Sequence, residues 1–174
     1  MEFFELIRAR RSIRAYKDEP VEEDKLKRIL DAANHAPSAG NLQAYVIVIV
    51  RDPTLRLALS RAALNQESLT QAPVVLAFFA HTHASAAKYK SRGMELYSLQ
   101  DATVACAYAQ LAAAAQGLGT VWIGAFDDDA IKSVLKVQAD WRPVALLPIG
   151  YPAEAPAPTP RRALDDLTKE ASEM

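Results

Sequence analysis

Apolar and polar positions along this chain change period several times, and each change marks an element. The opening "FFELIRAR" carries Phe3, Phe4, Leu6 and Ile7, the start of an amphipathic helix expected to stop near the first arginines. In "VEEDKLKRILDAANHA", residues 21 to 36, Val21, Leu26, Ile29, Leu30 and Ala33 share one side of a second helix. Acids in its first turn favour the helix dipole, and Pro37 sets its end. "AYVIVIV" at 44 to 50 is β-branched and continuous, as expected for a strand covered on both faces. "RDPT" then turns the chain, and Pro53 suits the first turn of a short helix bearing Leu55, Leu57 and Leu59.

Beyond residue 72 the pattern predicts a second buried strand, "PVVLAFFA" at 73 to 80. An alanine-dense helix over 99 to 119 follows, apolar nearly all round, with Gly117 and Gly119 as stop signals. Such a helix belongs at the centre of a core or an interface, since a monomer would expose part of its girth. "TVWIGAF" at 120 to 126 reads as a third strand, "DDDAIKSVLKV" as a helix with acids at its start, and "RPVALLPIGY" as a fourth strand. "PAEAPAPTP", residues 152 to 160, has four prolines in nine positions and reads as an extended arm. No repeat or internal domain boundary appears, so residues 1 to 174 read as one domain.

Composition narrows the function classes. The chain has 21 acidic and 20 basic residues, which argues against the broad positive field of a non-specific nucleic-acid binder. The apolar runs fall well short of the ~20 residues that cross a bilayer, and the first residues lack a signal-peptide layout. The expected location is therefore the cytoplasm, with no membrane partner. Cys106 is the only cysteine, which excludes an intrachain disulfide and a thiolate metal cluster. His35, His81 and His83 show no metal-ligand spacing, and no metal is expected.

Three polar segments combine permissive backbone with hydrogen-bonding side chains. Arg8, Arg10, Arg11 and Arg14 crowd around Ser12, where guanidinium forks and a hydroxyl suit phosphate oxygens, or simply form a solvated basic turn. "APSAGNLQAY" at 36 to 45 presents Ser38, Asn41 and Gln43 around Gly40, groups that suit a uracil-like ring edge or an ordinary helix-to-strand loop. In "GLGTVWIGAF" at 117 to 126, Gly124 and Ala125 are small enough for a planar ligand to approach backbone N–H groups. The glycine spacing does not fit GxGxxG, and the segment precedes a strand instead of joining strand to helix, so a Rossmann site is not expected.

Taken in order, these segments resemble the nitroreductase family of flavin mononucleotide (FMN) enzymes. The resemblance covers nearly the whole chain and rests on five pieces in series: "RRSIRAY", "APSAGNLQAY", "LNQESLTQAPVVLAFFA", "QDATVACAYAQLAAAAQGLGTVWIGAF" and "LLPIGYPAEAPAPTPRRALDDL". It implies an α+β fold, a three-layer α/β/α sandwich with a central, mainly antiparallel sheet, in an intertwined homodimer with two flavins across the interface. It also implies that Arg10, Ser12 and Arg14, with Arg161 or Arg162, bind the cofactor phosphate. Arg11 is a further candidate, although two adjacent arginines need not both face one ligand, and Arg8 reads as surface charge alone. Pro37, Ser38, Ala39, Asn41 and Gln43 are expected to line the flavin from the partner subunit, and Asn65 and Gln66 to lie near its pyrimidine edge. Ile123, Gly124 and Ala125 are expected beside the ring and N5, the last two through their backbone, with no catalytic side chain. The C-terminal arm is expected to reach around the partner.

The sequence departs from common family forms in two places. Ala44-Tyr45 replaces the usual proline-aromatic pair, and no acid stands at Gly124-Ala125, which leaves N5 protonation to solvent or substrate. The implied chemistry is ping-pong hydride transfer from NADH or NADPH through FMN to a nitroaromatic, quinone or similar planar acceptor. Donor preference and acceptor identity stay open. Tyr89 and Tyr97 lie in the segment that varies among relatives and shapes the substrate pocket, while Cys106 reads as a buried small hydrophobe. Two other functions compete: a flavin-binding relative without turnover, and an anion or nucleic-acid binding module built on the arginines. The latter lacks the aromatics such a module needs.

Overall fold

The computed structural model describes residues 2–171. Helix α1 (Phe3–Ala9) is capped by the Glu2 carboxylate, which accepts from Phe4 N–H at 3.0 Å. Helix α2 (Glu23–Asn34) buries Leu26, Ile29 and Ala33, and His35 closes it with its backbone N–H on the last carbonyls. Strand β1 (Tyr45–Val50) leads to α3 (Pro53–Ala62), whose Asp52 cap accepts from Leu55 N–H, then to the short α4 (Ser68–Gln71) and strand β2 (Val74–His81). Next come α5 (Thr82–Arg92), a π-helical turn at Gly93–Tyr97 and the long α6 (Ser98–Ala115). Strand β3 (Gly119–Thr120), α7 (Asp128–Leu135) and β4 (Trp141–Gly150) complete the core.

The four strands form an antiparallel sheet in the order β1-β2-β4-β3. Alternation along β2 builds two cores. Val74, Leu76 and Phe78 face α2 and α6, where they meet Ile29, Ala105 and Ala109. Val75, Ala77 and Phe79 face the other way, onto Leu59 of α3, Leu69 of α4 and Ile131 of α7. Helices therefore cover both faces of the sheet, the three-layer α+β arrangement that the resemblance implied.

Three local expectations are corrected. The seven-residue strand at 120 to 126 is reduced to a two-residue β3 and a single bridge, Ile123 to Leu146, in the same register. The interruption follows from Pro148. It stands opposite Val121 at the position whose N–H would form the intervening rung, and proline has none. Strand β1 is covered on both faces only in part: Tyr45 and Ile47 pack on one core and Val46 and Val48 on the other, but as an edge strand its side chains are mostly half-buried and Ile49 is exposed. In α1 only Leu6 is buried, with Phe3, Phe4 and Ile7 exposed in the single chain. The prolines at 152 to 160 form an extended, irregular arm as expected, and its start lies along this chain's N-terminal segment: Ala153 N–H donates to Ala15 O at 2.9 Å, and Pro152 bridges Tyr16.

Candidate functional site

The arginine cluster is assembled by the end of α1, strand β3 and the C-terminal arm. Arg10 caps α1 through its N–H to Leu6 O, and the Arg11 guanidinium donates to Arg8 O at 2.5 Å and Arg10 O at 2.9 Å. Ser12 then forms a parallel bridge to Thr120, and Ile13 N–H donates to Thr120 O at 2.9 Å. This approach depends on Gly119, because a Cβ there would sit 2.8 Å from the Ile13 side chain. The arm supplies the remaining wall. Arg10, Arg11, Ser12 and Arg161, with Arg8 and Thr159, line a cavity of about 510 Å³.

Among the described residues no carboxylate lies within ion-pair distance of Arg8, Arg10, Arg11 or Arg161. Burial, then the like charges of Arg161 and Arg11, hold the Arg10 guanidinium below its usual range. Crowded cations without a counter-ion, beside a serine hydroxyl, fit a phosphate monoester dianion. Two of the expected residues stand elsewhere. Arg14 is exposed outside the cavity, its N–H bound by the Glu154 carboxylate at 2.5 Å, and Arg162 donates to Asp166 O at 3.1 Å.

The second segment is a loop held in an unusual conformation. Its short 3-10 turn, Ala39–Asn41, has Gly40 at φ 58°, and Asn41 and Gln43 follow at 55° and 47°. Side chains avoid this region unless their surroundings hold them there. The holding groups are clear. Ser38 Oγ accepts from Gln43 N–H at 2.9 Å, and the Gln43 amide donates to Asn34 O and Oδ1 at 3.0 and 2.9 Å. Asp101, buried in the first turn of α6, accepts from Ala39 N–H at 2.9 Å and Ala44 N–H at 3.3 Å. The sequence reading missed Asp101. Its signal was available: it is the single charged residue in the 18 of α6.

The third segment runs from β3 toward α7. Ile123 is buried and paired with Leu146, whereas Gly124 and Ala125 are exposed, their N–H groups donating to no group among the described residues. Asp127 N–H reaches across to Ala62 O at 3.0 Å, which brings the 62 to 66 turn alongside. In that turn Leu64 and Asn65 have φ of 58° and 59°, and Ser60 Oγ donates to Gln66 O at 2.9 Å. One chain thus carries a continuous tract from the arginines through Thr120 and Ile123 to Asn65 and Gln66.

The 37 to 43 loop does not join this tract. It is tied to Asp101 in the first turn of α6, while Ala114, near the other end, belongs to a cavity of about 420 Å³ that shares Arg10 and Arg11. Thirteen residues of helix separate those points by roughly 20 Å. Arg10 and Arg11 therefore lie toward one end of α6 and the 37 to 43 loop at the other. Cys106, midway along, is fully buried, and burial pushes its thiol well above the usual range, so it serves as packing.

This order of elements is matched by the nitroreductase family profile, which aligns with residues 7–68 and 54–151. The chain belongs to the nitroreductase family. Within it, an NADH dehydrogenase from Thermus thermophilus is 34% identical over 90% of this chain and 89% of its own length. An FMN reductase [NAD(P)H] from Bacillus subtilis is also 34% identical, over 87% of this chain and 66% of its own length. Among solved structures, B. megaterium NfrA2 superposes with a TM-score of 0.90 at 29% identity, covering 98% of this chain and 75% of that one. A nitroreductase family protein from Clostridium novyi NT gives a TM-score of 0.82 at 31% identity, over 88% and 87% of the two chains.

Proposed function

We propose that this nitroreductase family member is an FMN-dependent NAD(P)H oxidoreductase that reduces small planar acceptors and acts as a homodimer. The observation that carries the reading is the cavity where Arg10, Arg11 and Arg161 converge, with no carboxylate partner among the described residues. When bound, FMN supplies reversible two-electron chemistry between a nicotinamide donor and an acceptor. The protein's own task is placement and charge. Arg10, Ser12 and Arg161 would hold the phosphate, with Arg11 split between that role and the α1 carbonyls. The free N–H groups of Gly124 and Ala125 would hold hydrogen bonds at N5, with Asn65 and Gln66 near the pyrimidine edge.

The separation along α6 supports a homodimer. A second copy in antiparallel contact would bring its Pro37, Ser38, Ala39, Asn41 and Gln43 to the first copy's tract. The single chain exposes what such contact would cover: Phe3, Phe4 and Ile7 on α1 and Tyr108 on α6. No helix among the described residues is long and apolar enough to cross a membrane.

The deciding experiment is an absorbance scan of freshly purified protein, heat release and identification of the chromophore, followed by sedimentation. Yellow dimeric protein that releases FMN and bleaches with NADH or NADPH is the expected result. Colourless protein that fails to bind added FMN would overturn it, whereas flavin-loaded protein without reductase activity would mark a binding relative that lacks turnover.

A further inference from the structure

The segment between β2 and α6 carries an unassigned group of side chains beside the 37 to 43 loop. Tyr89 and Tyr97 meet edge to face, with ring centroids 5.1 Å apart and planes at 85°. Arg92 Nε donates to Tyr97 Oη at 2.9 Å, and its guanidinium carbon lies 5.3 Å from the Tyr97 ring centroid. Lys88 Nζ lies 5.3 Å from the Tyr89 ring. Both rings are half-buried and both cations exposed. Among the described residues no carboxylate pairs with Lys88, Lys90 or Arg92. The cluster also touches the loop directly, since a side chain built on Gly40 would run into Tyr89 Oη and Lys88 Nζ.

The backbone marks the same segment. Lys90 sits at φ 55° and ψ −139° inside α5, and the π-helical turn at Gly93–Tyr97 follows at once. Such conformations persist where the surroundings over-determine them, and they concentrate at functional sites. Here the break at Lys90 separates Lys88 and Tyr89 from Arg92, and the π turn brings Tyr97 back to meet them.

We propose that Lys88, Tyr89, Arg92 and Tyr97 form a clamp that selects acceptors with a planar ring bearing an anionic group, such as a carboxylate or sulfonate. The inference rests on the oxidoreductase reading above, and names the substrate class of that same site. The tyrosines offer aromatic surface at the rim of the loop, and the two cations stand within about one ring width of it. That spacing suits a charge attached to the stacked ring itself. The nicotinamide donor is a poorer match, because a ribose separates its ring from the nearest phosphate.

The test compares two acceptors, 1,4-naphthoquinone and its 2-sulfonate, on FMN-loaded protein at saturating donor. The expected result for the double variant Lys88→Gln, Arg92→Gln is a fall of about 5- to 10-fold in kcat/KM for the sulfonate relative to the neutral quinone, from two partly exposed charge interactions. The dissociation constant of the sulfonate on oxidised protein, measured without donor, is expected to rise by a similar factor. Added salt should narrow the difference in the unmodified protein. Arg92→Lys keeps the charge and should keep most of the selectivity.

An unchanged sulfonate-to-quinone ratio in active, yellow double variant would overturn the clamp alone. So would a rise confined to the donor's KM, which would assign these cations to the dinucleotide. Protein that neither retains FMN nor oxidises NADH or NADPH would instead refute the underlying reading, and the clamp with it.

Discussion

Asp101 Oδ1 accepts from Ala39 N–H at 2.9 Å, and through this bond the first turn of α6 dictates the shape of a loop 62 residues earlier. The other carboxylate oxygen accepts from Ala44 N–H. A buried carboxylate is costly unless such donors satisfy it, and here two backbone amides do so. In Asp101→Asn, one oxygen becomes an amide group that must face an N–H. The expected outcome is a loss of about 1–3 kcal/mol in stability, the cost of a buried donor left unpaired. Urea denaturation measures it. Weaker FMN retention should accompany the loss, because Gln43 and Asn41 would leave their positive-φ conformations.

Burial first, and then the like charge of Arg161, hold the Arg10 guanidinium below its usual range, and the two cations repel when the cavity holds no anion. Replacing Arg161 by alanine should therefore leave the cofactor-free protein as stable or slightly more stable. FMN binding should weaken by about 10- to 100-fold, the range for losing one charge-assisted hydrogen bond. Fluorescence titration with FMN reads the second effect and thermal melting the first. Arg162→Ala should change both much less, since Arg162 points to Asp166 O.

Ile7 and Tyr108 are exposed on α1 and α6 of the single chain, and both lie on the face assigned to a second copy. The double variant Ile7→Glu, Tyr108→Glu should sediment as a monomer with unchanged far-ultraviolet circular dichroism. It should also lose bound flavin, because the 37 to 43 loop would no longer arrive from the partner. A dimer that keeps its flavin would refute this assignment of the interface.

Glu22 has a lowered pKa, first through its own backbone hydrogen bond, then through Tyr151 and Lys25. The sign is that of a depressed carboxylate: its contribution to stability is present above the unfolded-state pKa and is lost as pH falls through the folded value. Glu22→Gln should therefore destabilise the protein slightly at neutral pH and make the fall in stability on acidification shallower. Melting temperatures from neutral to strongly acid pH, compared for the two proteins, provide the check.

Much of the framework was legible because local rules and burial agreed. The continuous apolar run from Val74 to Phe79, the apolar side of α2 and the proline start of α3 each follow from residue type and spacing that burial or a cap requires. The α5 and π-helical region was not read, since its Lys, Arg, Ser and Gly residues carry no clear period and its shape depends on Gly40 and α6. The third strand was over-read for a different reason. Val121 and Trp122 have strand character, but the missing N–H belongs to Pro148, which becomes a neighbour only after β4 folds back.

By itself, then, the sequence determined most of the helices and strands, where the arginine and polar segments lie, and which family they resemble, because these depend on residue type and short spacing. Tertiary structure decided which arginines meet. Arg10, Arg11 and Arg161 converge, while Arg14 and Arg162 lie outside their cavity, although all five look alike in the chain. It also decided that Asp101 holds the 37 to 43 loop and that this loop lies at the far end of α6 from Arg10 and Arg11. Charge and chemistry are properties of a residue, but distance is a property of the packed fold, and only packing sets it.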